Sequence, residues 1–374
     1  MWFYDVTFTC FQIDMRDCLL ALVVGLLFCT ATAHAQQAKW TLKVEIDRQP
    51  VEGMPLSWSD SHVALLARDG RLWNFDPAEA RNHRKLSSHF KAYSDAEIRG
   101  QLIRELGRSF EVSSTGHYVV AHPRGQGDNW SGRFEQLYRS FVHYFAVRGF
   151  RLEEPQFPLV AIVWKNRADF LRYAQSDGAA LGSNVIGYYS PTSNRITLYD
   201  AGGGSASSSD WHANLQTVIH EATHQTAFNT GVHSRFADTP TWVVEGLGTL
   251  FEATGVFDSR AHRSQSERIN QGRLAGFREM QRAGYEPGTL HDLVASDRLF
   301  NTRSLDAYAH AWALSFYLVE TQPRRYSQYL KLVAAKPPFE KYSSTDRLKD
   351  FASVFGNDFR LQEAKFLRFM EGVR

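Results

Sequence analysis

Trp211-His-Ala-Asn-Leu-Gln-Thr-Val-Ile-His220-Glu221-Ala-Thr-His224-Gln225 is the stretch on which the reading of this chain turns. Projected at ~100° per residue, Trp211, Leu215, Val218, Ile219 and Ala222 gather on one side of a helix. His220 and His224 project from nearly the opposite side, with Gln216 and Ala227 as neighbours. Asp210 precedes the periodic segment as an N-cap should, and Gly231 lies just past its end, so the pattern predicts a helix over 211–229. Histidines four residues apart stand about one turn apart on one face, where both imidazoles can hold a single zinc ion. Glu221 between them is then a candidate general base. A lone histidine is more often a surface or hydrogen-bonded core residue. A correctly spaced pair with glutamate after the first, turned off the apolar stripe of a capped helix, reverses that balance.

Upstream, residues 40–47 alternate in strand fashion, and 62–67 and 71–75 read as a hairpin across Asp69-Gly70. These predict a small β-rich N-terminal unit over 36–93. Residues 94–106 form a helical pattern opened by a Ser94/Glu97 capping box. Strands at 110–112 and 117–122 follow, then an amphipathic helix over 130–147 that ends at Gly149. Residues 159–164 make a buried-type strand and 167–176 a helix. Residues 185–199 hold two strands around Ser190-Pro-Thr-Ser-Asn194. A Gly/Ser-rich linker over 202–209, read as flexible and exposed, leads to Trp211, beyond which the pattern is almost wholly helical. The expected fold class is α+β: the β-rich unit, then a domain over 94–374 with a mixed sheet within 94–200 and a helical part over 210–374.

Catalytic zinc takes three protein ligands and an open position. In the branch of zinc peptidases whose third ligand follows the second histidine closely, the matching positions here hold Ala227 and Thr230, which excludes that arrangement. The alternative is a glutamate from a following helix, and Thr239-Pro-Thr-Trp-Val-Val-Glu245-Gly-Leu-Gly-Thr-Leu-Phe-Glu252 supplies one. Thr239 reads as the cap, Pro240 as the first helical residue and Gly255 as the end. Glycines at 246 and 248 each weaken a helix by about 1 kcal/mol, so their presence beside Glu245 predicts close helix–helix approach there. Glu252, two turns along the same face, is the rival: a residue behind the ligands, or the anchor of a substrate amine. His233, in a loop, is a weaker rival.

The 374 residues carry 42 basic and 40 acidic side chains and three cysteines. Met15-Arg-Asp is followed by an apolar run over 19–28 and then by Ala33-His-Ala35, a signal peptide with cleavage before Gln36. This gives a signal over 1–35, with Met15 as the expected true start. Its apolar core is about ten residues, whereas a spanning helix needs about twenty, so no stable membrane span is expected after cleavage. Cys10, Cys18 and Cys29 all lie at or before the signal, leaving the mature chain without disulfides. Removing Arg16, Asp5, Asp14 and Asp17 leaves 41 basic and 37 acidic residues spread without long runs, which argues against a nucleic-acid stripe.

His220-Glu221-Ala-Thr-His224 and Trp242-Val-Val-Glu245-Gly-Leu-Gly-Thr-Leu-Phe-Glu252 together resemble the gluzincins, zinc metallopeptidases with a glutamate on the helix after the histidine pair. More closely, the chain resembles an uncharacterised bacterial family of exported peptidase-like proteins. That likeness runs from about Arg99 through Tyr118-Val-Val, Tyr188-Tyr189, Asn270-x-x-Arg273 and Tyr308-Ala-His310-Ala-Trp312 to Phe355-Gly356. The resemblance implies a gluzincin-like core, one zinc on His220, His224 and Glu245, and Glu221 as base. It also implies an oxyanion donor on a later helix, for which Tyr308 is the candidate and His310 the reserve; Tyr308 shares a face with Trp312, which gives it a core reading too. The expected activity is peptide-bond hydrolysis in the periplasm or outside the cell. Residues 195–199 are the expected sheet edge, to which an extended peptide substrate can pair. The competing class is a cell-envelope protein that binds polypeptide on a peptidase scaffold without cutting it; a carbohydrate-binding or structural role rests on aromatic content alone.

Overall fold

A computed structural model describes residues 40–125, 129–182, 185–200 and 208–374, the side chains of 208–214 excepted. The expected signal peptide, the three cysteines and most of the Gly/Ser linker lie outside the described residues. The first five strands, β1 (Thr41–Ile46), β2 (Gln49–Trp58), β3 (Val63–Ala67), β4 (Leu72–Phe75) and β5 (Arg81–Ser87), form one antiparallel sheet in the order β4-β3-β2-β1-β5. The β3–β4 hairpin turns at Asp69-Gly70 as expected, with Leu66 opposite Leu72. Neither β2 nor β5 is marked in the sequence, for different reasons. Pro50, Gly53 and Pro55 interrupt the alternation of β2, whose register against β3 slips beside Pro55. The residues of β5 are all exposed and mostly polar, so no apolar face announces it.

The second sheet is mixed. It contains β6 (Phe110–Ser114), β7 (Tyr118–Pro123), β8 (Leu159–Trp164), β9 (Gly187–Ser190) and β10 (Arg195–Tyr199), in the order β6-β7-β8-β10-β9. β7, β8 and β10 run parallel, and the outer strands are antiparallel to their neighbours. Residues 195–199, expected at the edge, are interior: β8 occupies one side of β10 and β9 the other, and four of its five residues are buried. The edge strand on that side is β9, and β6 is the other edge.

Helices α1 (Asp95–Leu106) and α3 (Arg167–Ser176) cover one face of this sheet. Helices α2 (Trp130–Ala146) and α4 (Ser208–Asn229) cover the other. The Ser94/Glu97 capping box opens α1 as expected, and Gly149 takes a left-handed conformation (φ +74°) after α2. α4 begins at Ser208, so Asp210 falls within its first turn instead of capping it, while Gly231 follows its end with φ +81°.

The rest is helical: α5 (Thr241–Phe251), α6 (Thr254–Phe257), α7 (Gln271–Arg282), α8 (Thr289–Ala295), α9 (Arg298–Thr302), α10 (Ser304–Thr321), α11 (Pro323–Ala334), α12 (Ser344–Phe355) and α13 (Phe359–Glu371). α10 runs through the middle of this half with twelve buried residues, His310 to Val319 among them. Thr239 does not cap α5. Pro240 takes the cap position without a side-chain bond, and the Thr241 N–H instead donates to Asp297 Oδ1 at 2.9 Å. α5 also ends before Gly255, at Phe251; Gly255 belongs to α6.

The antiparallel sheet docks on the mixed one through its β3–β4 turn. Arg235 Nη2 donates to Gly70 O at 2.7 Å while its Nε donates to Pro191 O at 3.0 Å, and Leu72 N–H donates to Thr192 O at 2.7 Å. Among the described residues no helix is long and apolar enough to cross a membrane.

Candidate metal centre

Along its last three turns α4 is buried or half-buried at every residue. Val218 and Ala222 face the mixed sheet, and Ile219 and Ala227 face the helical core. His220 and His224 do project away from that apolar stripe, but the space they enter is filled by α5. Glu245 on α5 places Oε2 at 3.2 Å from His220 Nε2 and 3.6 Å from His224 Nε2, and the two Nε2 atoms are 2.8 Å apart. These three donor atoms lie within 4.8 Å of one another. A tetrahedral zinc bonded at about 2.0–2.1 Å needs donors about 3.3 Å apart, a spacing the three distances bracket. Two imidazole nitrogens and a carboxylate oxygen are also the donor types zinc takes, and a set of three leaves a fourth position open. His233 is not one of the three; its ring lies 5.2 Å from that of Phe228.

The glycines of α5 explain how the helices come so close. A Cβ at Gly248 would stand 2.8 Å from Cε1 of both His220 and His224. One at Gly246 would stand 2.7 Å from the Ala311 carbonyl oxygen and against Ser315 Oγ on α10. Two residues apart, they face opposite sides of α5 and admit a neighbour on each.

Charge is matched to the geometry. Burial works against the ionised form of Glu245, but the charges and hydrogen bonds of His224 and His220 outweigh it and hold its pKa far below the usual carboxylate range. Burial disfavours a charged His220 as well. Hydrogen bonds to Glu245 and Glu252 overcome this and raise its pKa well above the ordinary value. Glu221 differs: burial, reinforced by the charge of Glu245, raises its pKa despite the two histidines and a backbone bond from Tyr189. That bond runs from Tyr189 N–H on the edge strand β9 to Glu221 Oε2 at 2.7 Å. It fixes one carboxylate oxygen and leaves the other to accept a proton.

Glu252, the C-cap residue of α5, reaches behind the histidine pair. Its Oε1 accepts from His220 Nδ1 at 2.8 Å, and Asn270 Nδ2 donates to its Oε2 at 2.7 Å. An ionised carboxylate can only accept, so Nδ1 carries a proton, and Nε2 is the ring nitrogen left to bind a metal once its own proton is lost. Arg273 Nη2 lies 3.5 Å from Glu252 Oε1, and its guanidinium stands over the Tyr308 ring at 5.1 Å. The Asn270-x-x-Arg273 motif marks both residues in the sequence, though not their attachment to Glu252. Glu252→Ala is expected to weaken metal binding about 10–100-fold, the usual consequence of removing a ligand's supporting carboxylate. Competition with a chromophoric chelator measures this; an unchanged dissociation constant would show that His220 is oriented by something else.

Tyr308 and His310 part company. Tyr308 is half-buried, and burial followed by the charges of Glu245 and Glu221 raises its pKa, which keeps the hydroxyl protonated as a donor. His310 is fully buried in another network. Its Nε2 lies 3.3 Å from Tyr285 Oη, which donates to Glu363 Oε1 at 3.1 Å, and its ring stacks on Phe366. Two residues along a helix rotate a side chain by about 200°, so both cannot face the same site. His310 is a core residue here.

Residues 214–340 match the model of a family described as a protein of unknown function (DUF1570). No curated protein matches the chain. Among solved structures the chain is similar to an M1 zinc metallopeptidase from Deinococcus radiodurans, at 16% identity over 69% of this chain and 48% of that one, with TM-score 0.39. It is also similar to a variant of that metallopeptidase bound to a Tyr-Ser-Ala substrate, at 15% identity over 71% and 52% with TM-score 0.39. The chain spans about half the length of the solved structures it matches.

Proposed function

We propose that the protein is an exported zinc-dependent peptidase of the gluzincin type. His220, His224 and Glu245 would hold one zinc ion. The observation that carries this reading is the convergence of two imidazole nitrogens and a carboxylate oxygen on one point, with a separate carboxylate, Glu221, beside it and outside the ligand set. Zinc, when bound at such a site, acidifies water and polarises a carbonyl. Glu221 takes the proton of the attacking water and delivers it to the leaving amine. Tyr308 donates its hydroxyl hydrogen to the developing oxyanion. Glu252 acts through His220, with Asn270 and Arg273 holding it in turn. The substrate main chain lies along the free edge of β9, next to Glu221. In this reading residues 1–35 are removed on export, residues 36–93 form the accessory unit and residues 94–374 the peptidase-like domain.

Purified protein is expected to carry one zinc per chain and to digest casein or a peptide library. A chelator should abolish digestion and added zinc restore it. Digestion indifferent to chelation, or a chain that takes up no metal, overturns the proposal; zinc uptake and polypeptide binding without cleavage would favour a binding protein built on the same scaffold.

A further inference from the structure

Each residue from Asp69 to Leu72, at the turn between β3 and β4, is bonded to the domain beside it. Asp69 Oδ2 accepts from Gln101 Nε2 at 3.0 Å, and Gly70 O accepts from Arg235 Nη2 at 2.7 Å. Arg71 Nη2 donates to Asp177 Oδ1 at 3.2 Å, and Leu72 N–H donates to Thr192 O at 2.7 Å. A Cβ at Gly70 would stand 3.2 Å from Asn194 Nδ2, so the two turns are in direct contact.

Three of these four bonds lead to one place, the turn over 191–194 between β9 and β10. Thr192 lies within it. The Arg235 guanidinium that holds Gly70 also donates through Nε to Pro191 O at 3.0 Å. Asp177, whose side chain is 1% exposed, accepts on Oδ2 from Ser193 Oγ at 3.0 Å and from Tyr188 Oη at 3.3 Å. From α4, Gln225 Nε2 holds the other end of the turn, donating to Asn194 O at 2.9 Å.

What this turn positions is β9. Tyr189, two residues before Pro191, donates its N–H to Glu221 Oε2 at 2.7 Å. The strand is four residues long and pairs with β10 alone, so its outer edge is free. A short strand held on one side can fray from its neighbour, and a peptide adds to it only while the edge keeps its line. The β3–β4 turn supplies the brace at the end of β9 nearest the loop.

We infer that the N-terminal sheet holds the substrate edge in place: through its β3–β4 turn it fixes β9 for pairing with an extended polypeptide, and Arg71 is a positioning residue for that edge. The inference rests on the peptidase reading for its substrate, and its test reads binding apart from cleavage. Arg71→Met and Arg71→Lys are made in the full chain; the Arg71 side chain is 27% exposed, so neither leaves a core cavity. Zinc per chain, melting temperature and amide exchange over 185–199 are measured for each. Fluorescein-labelled casein is titrated into the same variants in a Glu221→Gln background, which slows turnover. Arg71→Met is expected to keep its zinc and to exchange about tenfold faster over 185–199, because local opening costs less. Its casein affinity should fall about tenfold per folded chain, the worth of one or two main-chain hydrogen bonds. Arg71→Lys, which keeps a cation for Asp177, should recover part of both. A merely structural role would lower the melting temperature and leave affinity per folded chain unchanged. Unchanged casein affinity in Arg71→Met, affinity lost only in step with zinc, or a parent chain that binds no casein overturns the inference. Casein cleavage that is indifferent to Arg71→Met keeps the peptidase and removes the brace; Arg71-dependent casein binding in a protein that cleaves nothing does the reverse.

Discussion

Glu221→Gln is expected to retain one zinc per chain and to lower peptide hydrolysis by about 10²–10⁴-fold, the range that a positioned general base contributes. The substitution is nearly isosteric. The amide oxygen can still accept from Tyr189 N–H, which lies 2.7 Å from Glu221 Oε2, and no metal donor is lost, because the three converging atoms belong to His220, His224 and Glu245. What disappears is the ability to take a proton. Burial first, then the charge of Glu245, raises the Glu221 pKa and makes its carboxylate a stronger base than an exposed one. Metal analysis and kcat/KM on a single peptide, both per folded chain, check the result. Undiminished hydrolysis would exclude Glu221 as the base, and a parallel loss of zinc would assign it to metal retention instead.

Much of what positions this centre is written in local sequence. The apolar stripe of α4, the capping box of α1 and the run Leu159–Trp164 are short-range signals, and the structure places a helix, a helix start and a buried strand there. The two histidines and Glu245 could be paired from spacing because a helix, a loop and a second helix leave few geometries. Features that depend on distant partners were not legible. Strand β9 is the edge because β8 pairs with β10, a choice made between segments over thirty residues apart. The start of α5 is capped by Asp297, 56 residues downstream, so Thr239 gives a false signal. Glu252 could be read as either a substrate anchor or a supporting residue, and only the fold shows its Oε1 on His220 Nδ1. His310 carries the residue type an oxyanion donor needs, but one helix turns it into the Tyr285–Glu363 network while Tyr308 faces the carboxylates.

Gly248→Ala should separate helix propensity from metal binding. Alanine is favoured over glycine in a helix interior by about 1 kcal/mol, so propensity alone predicts a more stable α5. The new methyl would, however, stand 2.8 Å from Cε1 of both His220 and His224, closer than carbon atoms approach without displacement. The backbone of α5 is held on its other side, where Gly246 lies against α10, so the imidazoles must move. His220 cannot swing without straining its 2.8 Å bond to Glu252, and any rotation takes Nε2 off the point shared with Glu245. The expected result is a loss of zinc affinity of at least 10–100-fold, as for a lost supporting group, with the metal-free protein melting at or near the wild-type temperature. Gly246→Ala is the complementary case. Its methyl meets the Ala311 carbonyl, which is backbone and cannot turn aside, so the cost falls on helix contact: about 1–3 kcal/mol of stability from overpacking, with zinc per folded chain retained. Thermal denaturation and chelator competition on both variants decide the matter. Unchanged zinc affinity in Gly248→Ala, or a well-folded Gly246→Ala that has lost its metal, would break the link drawn between these two glycines and the two faces of α5.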